Sequence, residues 1–308
     1  MKGRGKWKER LNDGRVAIPF GFHKNFPNQD LFRQWLFHMN KDMGCVELIH
    51  VPTDELLSTN WTNGILITHT DDIPDDDWCK SALGMRPGYT SDNGPVSAFG
   101  GKPNWQLLLM ASDCANEATA QHEIMHALGF HHEHTRPDRD NYIRVDEAML
   151  ERFTPSRVHN YRVLPDSIWD MSGHAFELNS IMNYNSQKWM TTQDGKYWTS
   201  NKIGITTTDA LQVQWLYCDN TDLVRLKAHV PCKSPDALGI THQVFRDRLC
   251  DGIQDCSDGS DENGDIKMCR VLNGPKHESR NGCCKVITLT DKYNTLQCHA
   301  EVNLFIFI

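Results

Sequence analysis

An α+β fold, with a twisted mixed sheet packed on helices, is predicted by three features of the sequence. Apolar runs of strand length recur in the first third, amphipathic segments of helix length lie beside them, and a stretch free of Pro and Gly spans Asn116 to Leu128 and stops at Gly129. The strand-like runs are "GRVAIPFGF" from Gly14, "VELIHV" from Val46, "GILITHT" from Gly64 and "WQLLLMA" from Trp105, interrupted by Asn, Gly, Pro or Asp. In "FPNQDLFRQWLFHMNKDMGC", the residues Leu31, Trp35, Leu36 and Met39 make a helical stripe that begins at Pro27 and Asn28 and closes at Gly44. "NEATAQHEIMHALGF" is apolar on one side and reads as a second helix. Residues 135 to 200 are polar, rich in Trp and Tyr and weakly periodic, which predicts a second, irregular lobe around a helix near Val145 to Arg157. "TTTDALQVQWLYC" opens on a Thr/Asp cap and reads as a closing helix that ends at Cys218.

With 308 residues, a formal net charge of −8 and 39% apolar residues, the chain has room for one substantial domain and a small module. No apolar run has the ~18–20 residues of a membrane helix, since the longest candidate is "NLFIFI". The acidic balance argues against nucleic-acid binding, and the basic cluster "KGRGKWKER" reads as a solvated terminus. Eleven cysteines without any CxxC pair favour disulfides and an oxidising, extracellular compartment over thiolate metal sites. They group as Cys45, Cys79, Cys114 and Cys218, then Cys232, Cys250, Cys256 and Cys269, then Cys283, Cys284 and Cys298. Residues 1 to 20 lack the apolar core of a signal peptide, so the chain reads as mature or trimmed.

"HEIMHALGFHHEH", from His122 to His134, holds five histidines. His122 and His126 are four apart on the predicted helix, so their rings leave one face and can share a metal, with Glu123 beside them. This is the HExxH arrangement, in which a metal acidifies water and the Glu takes its proton. Gly129 can take up the left-handed conformation that turns the chain, and the spacing HExxHxxGxxH then places the third ligand at His132. His131 has the wrong offset, and both His131 and His134 are expected to face the cleft rim or solvent. "SIMNY" supplies Met182 and Tyr184, the Met-turn that lies under such a metal.

The segment "HEIMHALGFHHEHTRPDRDNYI" resembles the astacin family of zinc endopeptidases, whose signature continues as Glu133, Arg136, Asp138, Arg139 and Asp140. The resemblance covers roughly residues 5 to 220, including "KW", "DGRVAIPF" and "LQVQWLYC". It implies a two-lobed metzincin protease with an active-site helix, zinc on His122, His126 and His132, and Glu123 as general base. Tyr184 becomes a further, displaceable zinc ligand that helps to stabilise the oxyanion, Met182 supports the site, and Glu133 is the anchor of a processed N-terminus. The family's two disulfides fall on Cys45 with Cys218 and Cys79 with Cys114. Two features depart from the family: Asn183 stands where His is usual, and no pro-segment with its blocking aspartate is present.

"CDGIQDCSDGSDE" from Cys250 crowds acidic residues between Gly and Cys, as an oxygen-ligand calcium cage requires. It resembles the C-terminal half of a low-density-lipoprotein receptor class A module. That match implies carboxylates from Asp251, Asp255, Asp261 and Glu262 and carbonyls from Arg248 and Ile253 around Ca2+. Such modules have six cysteines, whereas Leu238 and Gln243 stand near the expected second and third. Cys250 is then expected to pair with Cys269 as usual, leaving Cys232 and Cys256 to pair with each other.

The sequence thus predicts a protease domain over 1–220, a linker over 221–231, a disulfide-rich calcium module over 232–269 and an unassigned Cys-containing piece over 270–308. The predicted function is secreted zinc-dependent hydrolysis of protein or peptide substrates by metal-activated water, with an extracellular protein partner for the acidic module. The rival reading is an inactive extracellular binding protein that recruits partners through both parts.

Overall fold

The computed structural model describes residues 5–69, 79–88, 102, 104–168, 174–199, 203–218, 229–251 and 253–262, and the backbone of 284–288 and 294–298. The chain divides into two compact units, Met1–Leu226 and Lys227–Ile308.

In the first unit the four apolar runs become β1 (Val16–Phe22), β2 (Val46–His50), β3 (Ile65–His69) and β5 (Gln106–Met110). A two-residue strand, β4 (Lys80–Ser81), completes a sheet ordered β2-β1-β3-β5-β4. The first four strands are parallel, with Val16 opposite Val46, Phe20 opposite Ile65 and Ile67 opposite Leu108; β4 runs antiparallel to β5. Parallel strands are covered on both faces, which explains why β1, β3 and β5 are buried at every position instead of alternating.

Helix α1 (Gln29–Asn40) buries Phe32, Leu36 and Met39. Leu36 and Met39 are buried as the expected stripe requires, whereas at its start Phe32 is buried and Leu31 is 44% exposed. Phe32 wins because it meets Phe22 and Phe26 edge-on, with centroids 5.7 and 5.4 Å away.

Helix α2 (Glu117–Leu128) is held from several sides. Trp7 Nε1 donates to Ala127 O at 2.9 Å, Tyr217 OH to Leu128 O at 2.8 Å and Gln121 Nε2 to Trp35 O at 3.0 Å. The polar lobe carries β6 (Ile143–Val145) paired with β7 (Met190–Thr192), α3 (Glu147–Phe153) and a 3-10 segment over Pro155–Tyr161. Helix α4 (Thr207–Tyr217) closes the unit with a capping box, Thr206 accepting from Asp209 N–H and Asp209 from Thr206 N–H. Cys45–Cys218 and Cys79–Cys114 are disulfide-bonded, with Cα–Cα distances of 5.5 and 6.1 Å. Among the described residues no helix is long and apolar enough to cross a membrane.

In the second unit β8 (His229–Pro231) pairs with β9 (Gln243–Phe245) over a small core of Cys232, Val244, Leu249 and Cys256. Cys232 is bonded to Cys256, Cα–Cα 5.7 Å, and Cys250 is also disulfide-bonded. Its expected partner Cys269 lies outside the described residues. Within 270–308 the backbone forms a hairpin of β10 (Cys284–Thr288) and β11 (Asn294–Cys298).

Candidate active site

The site is built on α2. Asn116 caps it, its side chain accepting from Thr119 N–H at 3.0 Å, and the i, i+4 spacing brings the His122 and His126 rings to a centroid distance of 4.6 Å. At the other end Gly129 sits at φ 106°, ψ 13°, its N–H bonded to Met125 O and His126 O while Phe130 N–H bonds to Met125 O. The turn returns His132, whose Nε2 lies 3.1 Å from His126 Nε2 and 3.3 Å from His122 Nε2. A side chain at Gly129 would be strained in this left-handed backbone. Gly129→Ala is therefore expected to lower the unfolding free energy by about 1–2 kcal/mol and to weaken zinc affinity, both measurable by denaturation and competitive zinc titration.

His122 Nδ1 lies 2.7 Å from Ile181 O, and His126 Nδ1 lies 2.7 Å from Phe130 O. A carbonyl only accepts, so these Nδ1 atoms carry the protons and the Nε2 lone pairs are left bare. Burial pushes His126 and His132 well below the usual imidazole range, so both are neutral. Bare lone pairs this close repel unless a cation lies between them. A tetrahedral zinc with Zn–N of about 2.0–2.1 Å requires nitrogens about 3.3–3.4 Å apart, close to the observed spacing. Among the described residues these three histidines are the one group of three or more His, Cys, Asp or Glu with ligand atoms all within 4.8 Å of one another.

Glu123, 5% exposed, leaves the same helix beside the cluster. Burial raises its pKa to about 8, against a backbone hydrogen bond from Ser81 on β4 that lowers it. Its Oε2 is buried and has no hydrogen-bond partner among the described residues, so it offers a free acceptor for a proton.

The Met-turn is fastened to the cap of α4. Asp209 accepts from Ser180 Oγ at 2.6 Å and from Ile181 N–H at 3.0 Å, while Met182 N–H donates to Ser180 Oγ. Ile181 O can then hold His122, and Met182 O accepts from Glu133 N–H at 2.9 Å. Met182 is 2% exposed, and the Tyr184 ring lies 4.4 Å from the rings of both His132 and His134. Burial pushes the Tyr184 phenol above its ordinary value, keeping it a neutral donor.

Glu133 is buried against Arg136, with Nη1 to Oε1 at 2.8 Å, and it also accepts from Glu177 N–H. Burial raises its pKa to about 7 against the pull of Arg136. The N-terminal residues 1–4, which the anchor expectation concerns, lie outside the described residues.

His134 corrects the sequence reading. Far from facing the rim, it is fully buried, stacked 5.2 Å from His132 and packed on Tyr161 and Tyr184. Burial lowers its pKa to about 3. Its surroundings come from residues 160, 161, 183 and 184, which local spacing does not connect. His131 is half-buried, and burial lowers it to about 4. Ser81 was also missed, because a two-residue strand leaves no periodic signal.

In the second unit the acidic side chains turn onto their own loop. Glu262 accepts from Asp251 N–H at 3.0 Å, Asp251 from Ile253 N–H at 2.9 Å, and Asp261 from Asp255 N–H. Arg248, expected to contribute only a carbonyl, places Nη1 2.7 Å from Asp255 Oδ1. Among the described residues these carboxylates do not gather as the histidines do.

The family model for the astacin peptidases matches residues 76–216. Meprin A subunit beta from Rattus norvegicus is 28% identical over 229 residues, covering 70% of this chain and 31% of that protein. Zinc metalloproteinase nas-12 from Caenorhabditis elegans is 32% identical over 142 residues, covering 44% of this chain and 34% of that one. The chain spans about a third of the length of these curated relatives. The solved structure of high choriolytic enzyme 1, a hatching enzyme zinc-protease from Oryzias latipes, is similar with a TM-score of 0.52 at 20% identity, covering 70% of this chain and 96% of that chain. At that identity the likeness concerns the fold.

Proposed function

The chain carries an astacin-family zinc metalloendopeptidase domain, and on that premise we propose that it hydrolyses peptide bonds in extracellular protein or peptide substrates. The observation that carries this reading is the convergence of three imidazoles beside a buried carboxylate whose Oε2 has no partner among the described residues. His122, His126 and His132 would hold the zinc, which when bound would supply Lewis acidity toward water and the substrate carbonyl. Glu123 takes the proton from the attacking water at Oε2 and delivers it to the leaving amine. Tyr184 would be a further, displaceable zinc ligand, and its phenol would donate a hydrogen bond to the developing oxyanion, while Met182 would support the floor. The disulfides support an oxidising compartment.

Chelation is the test. Removing zinc is expected to abolish cleavage of a peptide library and lower the thermal midpoint, and one equivalent of added zinc to restore both. Cleavage that persists after complete zinc removal, confirmed by metal analysis, contradicts the reading.

We extend the proposal to Ca2+ in the second unit, where an extracellular protein partner would also dock. Support comes from Asp255 Oδ2 and Asp261 Oδ1, which are buried without partners among the described residues. Burial raises Asp255 to about 6 against the pull of Arg248, and it raises Asp261 as well, so a further cation beside these oxygens would be favourable. Calcium titration monitored by NMR is expected to shift amides of 248–262 in the parent but not in Asp255→Asn; unchanged spectra at millimolar Ca2+ would sink this extension.

A further inference from the structure

We propose that Asn60 is a modification site that carries an N-linked oligosaccharide, presented to solvent by an anchored loop. The inference rests on the extracellular reading above, because such sugars are attached in the secretory compartment.

Asn60-Trp61-Thr62 is the chain's one Asn-x-Ser/Thr triplet. A triplet this short arises readily by chance, so its place in the fold decides whether it can serve. Asn60 and Thr62 are both exposed, and they lie between the 3-10 turn Thr53–Glu55 and β3, outside every helix and strand. Among the described residues the Asn60 amide donates no hydrogen bond, so its nitrogen is not committed to the fold.

The middle residue does the anchoring. Trp61 packs against the buried cluster that includes Leu56, Leu66 and Trp105, and its N–H donates to Thr59 Oγ1 at 3.4 Å. Lys102 Nζ donates to the carbonyls of Thr59 and Trp61. With the indole turned inward and both carbonyls held, the Asn and the Thr on either side are left at the surface. The same unit closes Cys45–Cys218 and Cys79–Cys114, bonds that form in the compartment where the sugar donor is found.

The step is a group transfer without redox change. The bond between the anomeric carbon of an oligosaccharide and its polyisoprenyl diphosphate carrier breaks, that carbon bonds to Asn60 Nδ2, the diphosphate leaves with the bonding pair, and the amide proton passes to solvent.

The test is expression of the full chain behind an appended secretory leader in cultured eukaryotic cells, followed by peptide N-glycosidase. That enzyme removes an N-linked sugar and leaves an aspartate in place of its asparagine. The parent is expected to drop in mass and to show the conversion in the Asn60 peptide. Thr62→Ser keeps the triplet and should behave alike, whereas Thr62→Ala and Asn60→Gln should show no shift. All three replace exposed side chains, so the variants are expected to fold as the parent does. A secreted parent with both disulfides formed and Asn60 still a plain amide overturns the inference alone, as does a mass shift that survives Thr62→Ala. A parent held in the cell with those cysteines reduced and Asn60 bare overturns it together with the extracellular reading.

Discussion

Glu123→Gln is expected to lower kcat by roughly 10²–10⁴-fold, the range for losing a general acid–base group, with KM nearly unchanged. The amide has the same shape and can still accept the backbone hydrogen bond from Ser81, so the helix and the three histidines keep their places. What it lacks is a basic oxygen where Oε2 now lies without a partner among the described residues. Zinc binding should survive the substitution, because Glu123 is not among the converging ligands. A variant that loses zinc along with activity would show that Glu123 holds the site together.

Arg136→Met is expected to lower stability by about 3–5 kcal/mol, the usual consequence of removing one partner from a buried ion pair. In a unit of this size that corresponds to a fall of roughly 10 °C in thermal midpoint. The guanidinium is 2% exposed, pairs with Glu133 and Asp138, and also donates to His174 O and Ala175 O. Without it the buried Glu133 carboxylate keeps the Glu177 N–H as a donor to Oε1 and loses its cation, in surroundings that already raise its pKa to about 7. Methionine fills the space but satisfies none of these oxygens. Calorimetry measures the loss; a change under about 1 kcal/mol would contradict the view that this ion pair braces the segment after His132.

Local rules made much of this fold legible. The stop at Gly129 follows from the end of the Pro- and Gly-free stretch, and the cap at Thr206 and Asp209 from the residues that favour helix starts. The spacing after Gly129 anticipated which imidazoles converge, since a helix and one turn govern their placement. Elsewhere the determinants are far apart in the chain. Leu31 and Phe32 are equally apolar, and only the partners Phe22 and Phe26 choose between them. His134 is buried by rings supplied from residues 132, 161 and 184, and the orphaned oxygens of Asp255 and Asp261 depend on how one loop closes.

The central claim is that His122, His126, His132 and Glu123 form one zinc peptidase site. It is tested most directly by measuring zinc content and peptide-library cleavage on the full-length parent and Glu123→Gln side by side. The account predicts one zinc per chain in both, with cleavage by the parent only. Equal zinc content with cleavage by neither would contradict it and favour a binding protein built on a protease fold.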